Sequence, residues 1–191
     1  MYNFARIVFW LYLHLFNRYK VVGKENIVWD GPTIVYGNHS SDFDIFLLTV
    51  TFRRHIYFMA KKSLFETPIV KWFVKAYKAF PVDRDKNDLA AIKTALRLLK
   101  DGKQVGIFPE GTRVLDEQDS NAKGGVAMFA YKTGATLVPV RMKYKRRLNL
   151  FNRYDVIIGK PIRPEELGIV QGTSDEYKAA GTRLMEHVYE L

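Results

Sequence analysis

Short apolar runs alternate with longer stretches of helical period along most of this chain. Thr33–Gly37, His55–Ala60, Gln104–Phe108, Thr136–Met142 and Tyr154–Ile158 read as strands. Between them lie segments with helix start and stop signals. Asp42–Phe52 opens a helix after the first run. Thr67 and Pro68 read as N-cap and first residue of a helix over Ile69–Ala79. Asn87 or Asp88 can cap a helix that turns Leu89, Ile92, Leu96 and Leu99 inward and stops before Gly102. Val126–Thr133 is a short helix ended by Gly134, and Ser174 caps a last one. This alternation predicts a single α/β domain with a mostly parallel sheet flanked by helices. Ligands of such sheets bind beyond the carboxyl ends of the strands.

The heptapeptide Asn38–Asp44 follows the first strand and carries a histidine, His39, five positions before a carboxylate, Asp44. Five residues of continuous helix rotate by about 140°, which separates two side chains around the axis. The pair therefore meets only if His39 lies in the strand–helix turn and Asp44 in the helix behind it. A carboxylate on one ring nitrogen fixes the tautomer and leaves the other nitrogen as a base. The alternative is a structural histidine–aspartate hydrogen bond.

Several other chemistries find no support. There is no cysteine among the 191 residues, so disulfides, thiolate metal sites and a cysteine nucleophile are excluded. No serine sits in a Gly-x-Ser-x-Gly elbow, and the histidines at 14, 39, 55 and 187 have no metal-ligand spacing. A base acting directly on a substrate hydroxyl is the chemistry that remains. Thirty Lys and Arg against twenty Asp and Glu give a net charge of +10, which suits an anionic partner. Two turns can hold an anion. Phe80–Arg84 ends an apolar run with Arg84, and Phe108–Arg113 presents Glu110, Gly111, Thr112 and Arg113 together. The arginine fork suits phosphate, and Lys123 could add a charge at a helix N-terminus.

Two segments are two-faced and aromatic. On a helical wheel Asn3, Arg6, His14, Asn17 and Arg18 share one arc, opposite Phe4, Val8, Phe9, Leu11, Tyr12, Leu15 and Phe16. Its apolar stretch is about half the ~20 residues that a membrane span needs. Such a helix lies in a membrane interface or packs on its own domain. In Ile69–Ala79, Lys71, Lys75 and Lys78 oppose Trp72, Phe73, Ala76 and Tyr77. Two such segments in one basic chain favour a membrane surface. Residues 1–20 are thus expected to be a membrane-associating helix and 21–191 the catalytic domain.

Asn38–Asp44, Phe80–Arg84, Phe108–Arg113 and Val138–Val140, in that order, resemble the glycerolipid acyltransferases, and most closely the bacterial 1-acylglycerol-3-phosphate acyltransferases. The resemblance spans roughly residues 20 to 165. It implies that His39 deprotonates the free hydroxyl of lysophosphatidate, which attacks an acyl thioester of acyl carrier protein or coenzyme A. Asp44 would orient His39, with Asn38 and Ser41 in support. Arg84 and Arg113 would hold the substrate phosphate with help from Lys123, while Glu110, Gly111 and Thr112 shape the acceptor site. Val138–Val140 would lie near the acyl chain or in the sheet core. No metal or other cofactor is implied. The expected setting is the cytoplasmic face of the cell membrane, with monotopic or peripheral attachment to an anionic surface. The family often has a glycine just before the second block, where this chain has Lys78 and Ala79.

Three other readings stand beside this one. A non-catalytic anionic-lipid-binding module would not need the His39/Asp44 pair, and an acyltransferase could take another lysophospholipid or glycerol phosphate. Nucleic-acid binding would use Arg141, Lys143, Lys145, Arg146 and Arg147, but no recognition motif accompanies that run, so no nucleic acid is expected.

Overall fold

The computed structural model describes residues 2–83, 88–114, 116–144 and 150–191; of Ile69, only the backbone is described. Arg84, Asn87, Lys145, Arg146 and Arg147, named above, lie outside the described residues. The elements run α1 (Tyr2–Phe16), β1 (Arg18–Val22), β2 (Thr33–Gly37), α2 (Asp44–Thr51), β3 (Ile56–Lys61) and α3 (Pro68–Ala76). They continue with β4 (Phe80–Val82), α4 (Leu89–Lys100), β5 (Gln104–Ile107), α5 (Gly125–Thr133), β6 (Thr136–Tyr144), β7 (Arg153–Ile158) and α6 (Ser174–Glu190). Short 3-10 turns fill several of the connections.

The seven strands form one sheet in the order β1-β7-β6-β2-β5-β3-β4. Every pairing is parallel except β6 with β7. The sheet separates two apolar layers. On one side Ile34, Tyr36, Val105, Ile107 and Leu137 pack under Ala95 and Leu99 of α4, Phe129 of α5 and Leu184 and Val188 of α6. On the other, Val35, Val138, Val140 and Val156 pack under Leu13 of α1 and Leu47 and Leu48 of α2. β2 is buried at all five positions, as a parallel strand covered on both faces must be, which is why Thr33–Gly37 is an unbroken run. Val138 and Val140 belong to the sheet core.

Two strands were not foreseen. β1 starts one residue after α1 ends, because Asn17 breaks the helix. Its side-chain Nδ2 donates to the Tyr12 carbonyl (3.2 Å), and its side-chain oxygen accepts from the Asn152 amide (3.0 Å). Arg18 therefore belongs to a charged edge strand, not to the helical arc. β4 holds three residues around Pro81 and lies at the other edge, where a missing N–H costs no ladder bond. Two helix starts also differ in detail. Asp88 caps α4, accepting from the Ala91 amide at 3.0 Å. Thr173, not Ser174, caps α6. Its hydroxyl accepts from the Glu176 amide, and the Glu176 carboxylate accepts from the Thr173 amide at 3.0 Å.

α3 ends in a Schellman motif. The Ala79 amide reaches the Val74 carbonyl (2.9 Å) and the Lys78 amide the Lys75 carbonyl (3.0 Å). The residue between must be left-handed, and Lys78 has φ +50. A β-carbon makes that conformation costly by roughly 1–2 kcal/mol. Lys78→Gly should stabilise the fold by about 1 kcal/mol and raise Tm by roughly 2–4 °C; thermal unfolding followed by circular dichroism tests this, and a lowered Tm would refute it.

Candidate active site

β2 and β5 are neighbours, and the turns that leave their carboxyl ends carry the His39 and Glu110 segments side by side. Gly37 lets β2 run close to β6. A β-carbon there would sit 2.2 Å from the Val140 carbonyl oxygen. Asn38 then locks the turn onto β6, donating to the Met142 carbonyl (3.0 Å) and accepting from its amide (2.8 Å). The Asn38 side chain is thus committed to backbone.

His39 is 6% exposed and Asp44 is fully buried. Asp44 is the first residue of α2, and the turn carries it back to the imidazole. Nδ1 of His39 lies 2.9 Å from Oδ2 of Asp44. The same oxygen accepts from the amides of Ser40 (2.8 Å) and Ser41 (2.9 Å). Oδ1 accepts from the Tyr144 hydroxyl, which is also 3.1 Å from Oγ of Ser40. The Ser41 hydroxyl accepts from the Phe43 amide at 3.1 Å and rigidifies the turn. With Asp44 ionised, the ring proton sits on Nδ1. Nε2 then presents its lone pair and has no hydrogen-bond partner among the described residues.

The backbone and ring of His39 are held separately. Its amide donates to Oε2 of Glu110 (3.0 Å), and its carbonyl accepts from the Val114 amide (2.8 Å). Its ring stacks on Phe108 with centroids 4.0 Å apart and an interplanar angle of 10°. Glu110 is 4% exposed, and its other oxygen accepts from Ser120 (3.0 Å) and from the Tyr189 hydroxyl. Both Glu110 oxygens are therefore engaged by protein groups, so its carboxylate faces His39's backbone.

The remaining predicted residues are scattered around this centre. Gly111 turns with φ +68, and the Lys123 side chain passes over it, with Nζ 3.3 Å from the place a β-carbon would take. Thr112 is exposed. Arg113 is also exposed and pairs with Asp42 at 2.8 Å. A cavity of about 770 Å³ lies alongside, lined by Met59, Ile92, Val126, Met128 and Phe129, together with Phe108, Gly111 and Lys123. Neither His39, Thr112 nor Arg113 lines it; the cavity abuts the pair through Phe108. Of the basic run, Arg141 binds Glu117 and the Tyr189 carbonyl, and Lys143 reaches the Leu191 carbonyl. Those side chains are engaged at the end of α6.

Sequence reasoning missed Tyr144, Tyr189, Ser120 and Ser40. No spacing could signal the two tyrosines, which lie 100 and 79 positions from Asp44 and Glu110. Phe108 stood inside a recognised block but carried no assigned task.

The match to the acyltransferase family covers residues 18–143, and the chain belongs to that family. It is 36% identical to the 1-acyl-sn-glycerol-3-phosphate acyltransferase of Bacillus subtilis, across the whole of this chain and 96% of that protein. It is 33% identical to the Saccharomyces cerevisiae enzyme of the same name, over 78% of this chain and 52% of that longer one. The crystal structure of PlsC, the 1-acyl-sn-glycerophosphate acyltransferase of Thermotoga maritima, superposes with a TM-score of 0.73. The identity is 26%, covering 99% of this chain and 77% of that one.

Three buried or half-buried tyrosines, two of them beside the site, tie the stability of the fold to alkaline pH. Burial, then the Asp44 charge, pushes the Tyr144 phenol far up; burial, then its bond to Glu110, does the same for Tyr189. Burial pushes Tyr19 up to about 12. A phenol whose native pKa is raised binds its proton more tightly when folded. Its contribution is complete below the unfolded value of about 10 and is lost as pH climbs toward the native one. Urea midpoints should stay level up to about pH 9.5 and fall steadily from pH 10 to 12; a flat midpoint through pH 11.5 would refute this.

Proposed function

We propose that this acyltransferase moves a fatty acyl group from a thioester, of acyl carrier protein or coenzyme A, onto the free hydroxyl of lysophosphatidate, with His39 as general base. The observation that carries the reading is the 2.9 Å contact between Nδ1 of His39 and a fully buried, four-donor Asp44, which leaves Nε2 as the free base. Nε2 takes the hydroxyl proton while the oxygen attacks the thioester carbonyl carbon. The tetrahedral intermediate collapses, the carbon–sulfur bond breaks, and the imidazolium returns the proton to the thiolate. No covalent enzyme intermediate is needed, because the thioester is already activated. Arg113 and Lys123 are suited to the acceptor's phosphate, Arg113 by exchanging Asp42 for it. Arg84 is assigned to the same phosphate on the resemblance alone. The cavity beside Phe108, apolar along Met59, Ile92, Val126, Met128 and Phe129 and charged at Asp83, Asp88, Lys123 and Lys178, offers a place for an acyl chain. The lysophosphatidate acceptor is supported by the names of the Bacillus and yeast relatives.

A positioned general base contributes roughly 10²–10⁴-fold. His39→Ala should lower acyl transfer to lysophosphatidate by about 10³-fold while the protein still folds and binds vesicles; turnover at the wild-type rate in a product assay would end the reading.

The membrane surface is supported by what α1 leaves uncovered. One stripe of the helix docks on α2, where Phe9 stacks on Phe46 at 3.9 Å. Phe4, Ile7, Trp10, Leu15 and Phe16 remain exposed, Phe4 by 69% and Leu15 by 68%. Phe151, 89% exposed, is tied to the same end of α1 by the bond from its amide to the Phe16 carbonyl (2.8 Å). Arg18 and Lys20 on the edge strand β1, and Arg153 on its neighbour β7, stand next to that end, where they suit anionic headgroups. Trp72 and Phe73 of α3 are exposed beside Lys71 and Lys75. Among the described residues no helix is long and apolar enough to cross a membrane. Burying a large apolar side chain is worth roughly 1.5–3 kcal/mol. Replacing both Phe4 and Leu15 by Ser should therefore weaken sedimentation with phosphatidylglycerol vesicles about 100-fold or more; unchanged binding would remove α1 from the interface.

A further inference from the structure

We propose that Tyr144, the last residue of β6, is a positioning residue for the His39–Asp44 pair, holding the carboxylate by the oxygen that the histidine does not use. The inference rests on the acyl-transfer reading above. Oδ2 of Asp44 is already occupied by His39 and by the amides of Ser40 and Ser41. Oδ1 has one partner among the described residues, the Tyr144 hydroxyl. That hydroxyl is placed from two sides. Ser40 Oγ lies 3.1 Å away, and the Tyr144 ring packs on Tyr154 of β7 with centroids 5.6 Å apart. Burial keeps the phenol protonated far beyond neutral pH, so it remains a donor whenever the base is in use.

Two consequences follow for the imidazole. A carboxylate gripped at both oxygens cannot rotate about its last bond, so Oδ2 stays on Nδ1. The phenol also draws part of the carboxylate charge toward itself. Without it, more charge faces Nδ1–H and the imidazolium is held more strongly. The other titratable groups around the pair are Glu110, from the turn after β5, which is spent on the His39 amide, and the exposed Arg113–Asp42 pair. Neither contacts the Asp44 carboxylate among the described residues.

The test compares Tyr144→Phe with His39→Ala in the full chain, using lysophosphatidate and an acyl thioester on vesicles across pH. Losing a hydrogen bond to a charged group should lower kcat about 10-fold with both KM values unchanged. The acid limb of kcat/KM should move up by about half a pH unit. Site-specific 3-fluorotyrosine at 144, a stronger donor of nearly the same shape, should move that limb down. An inactive His39→Ala beside a Tyr144→Phe with an unmoved limb would overturn the role of Tyr144, whether or not its kcat falls. If Tyr144→Phe does not fold, the fluorotyrosine protein decides, and an unmoved limb there overturns the proposal. An active His39→Ala would overturn the general-base reading itself, and this one with it.

Discussion

The buried carboxylate of Asp44 is the group on which the rest of the site depends. It is fully enclosed, and four donors converge on it: an imidazole, two backbone amides and a phenol. An ionised carboxylate in such a place is tolerable only when its lone pairs are met. Meeting them fixes the turn from Gly37 to Asp44, since two of the donors are consecutive amides of that turn. It also fixes the start of α2, of which Asp44 is the first residue. The ring of His39 is thereby oriented before any substrate arrives. The geometry also explains why five positions separate the two residues: His39 belongs to the end of a strand and Asp44 to the start of a helix, so the turn folds one onto the other.

A second buried carboxylate does for the His39 backbone what Asp44 does for its ring. Glu110 accepts the His39 amide with one oxygen and takes Ser120 and Tyr189 with the other. Because Glu110 leaves β5 and His39 leaves β2, this bond spans two adjacent parallel strands at their carboxyl ends. Tyr189 carries the connection to the last turn of α6, where Arg141 and Lys143 of β6 also bind main-chain carbonyls. The last turn of α6 is therefore wired to the His39 turn through one glutamate, and the ends of β2, β5, β6 and α6 are held as one unit.

What the sequence disclosed follows from where its signals are local. β2 is legible at both ends because a strand buried on two faces has no charged residue to blur it. The histidine–aspartate turn is legible because both partners lie within one strand–helix connection. β1 was hidden because Asn17 stops α1 and the next residue already begins a strand, so charge and aromatic content run through the boundary unchanged. β4 was hidden because Pro81 reads as a breaker, which an edge strand tolerates. Tyr144 and Tyr189 were hidden because nothing near either residue refers to Asp44 or Glu110; only the closing of the sheet brings them together. α1 defeated the two-faced wheel in an instructive way. Its apolar residues cover more than one side, so the helix both packs on α2 and leaves Phe4, Leu15 and Phe16 uncovered. The wheel posed packing and exposure as alternatives, and this helix has enough apolar surface for both.

The two layers of the fold are unequal in a way that suits the proposed chemistry. On one side of the sheet α4, α5 and α6 close over a core and leave a largely apolar cavity against Phe108. On the other, α1 and α2 cover the sheet, but α1 turns a second apolar stripe outward. His39 sits at the strand ends, where the two layers meet, stacked on the ring that also lines the cavity. A lysophospholipid has an analogous division, with a chain that must leave water and a charged head that must not. The hydroxyl to be acylated lies between the two. A largely apolar cavity beside the base, with the exposed cation Lys123 at its lining and exposed Arg113 outside it, would sort those parts before any specific contact forms. A general base placed at that boundary would make orientation of the acceptor a consequence of burial and charge, so little of the positioning would need dedicated contacts to the hydroxyl itself.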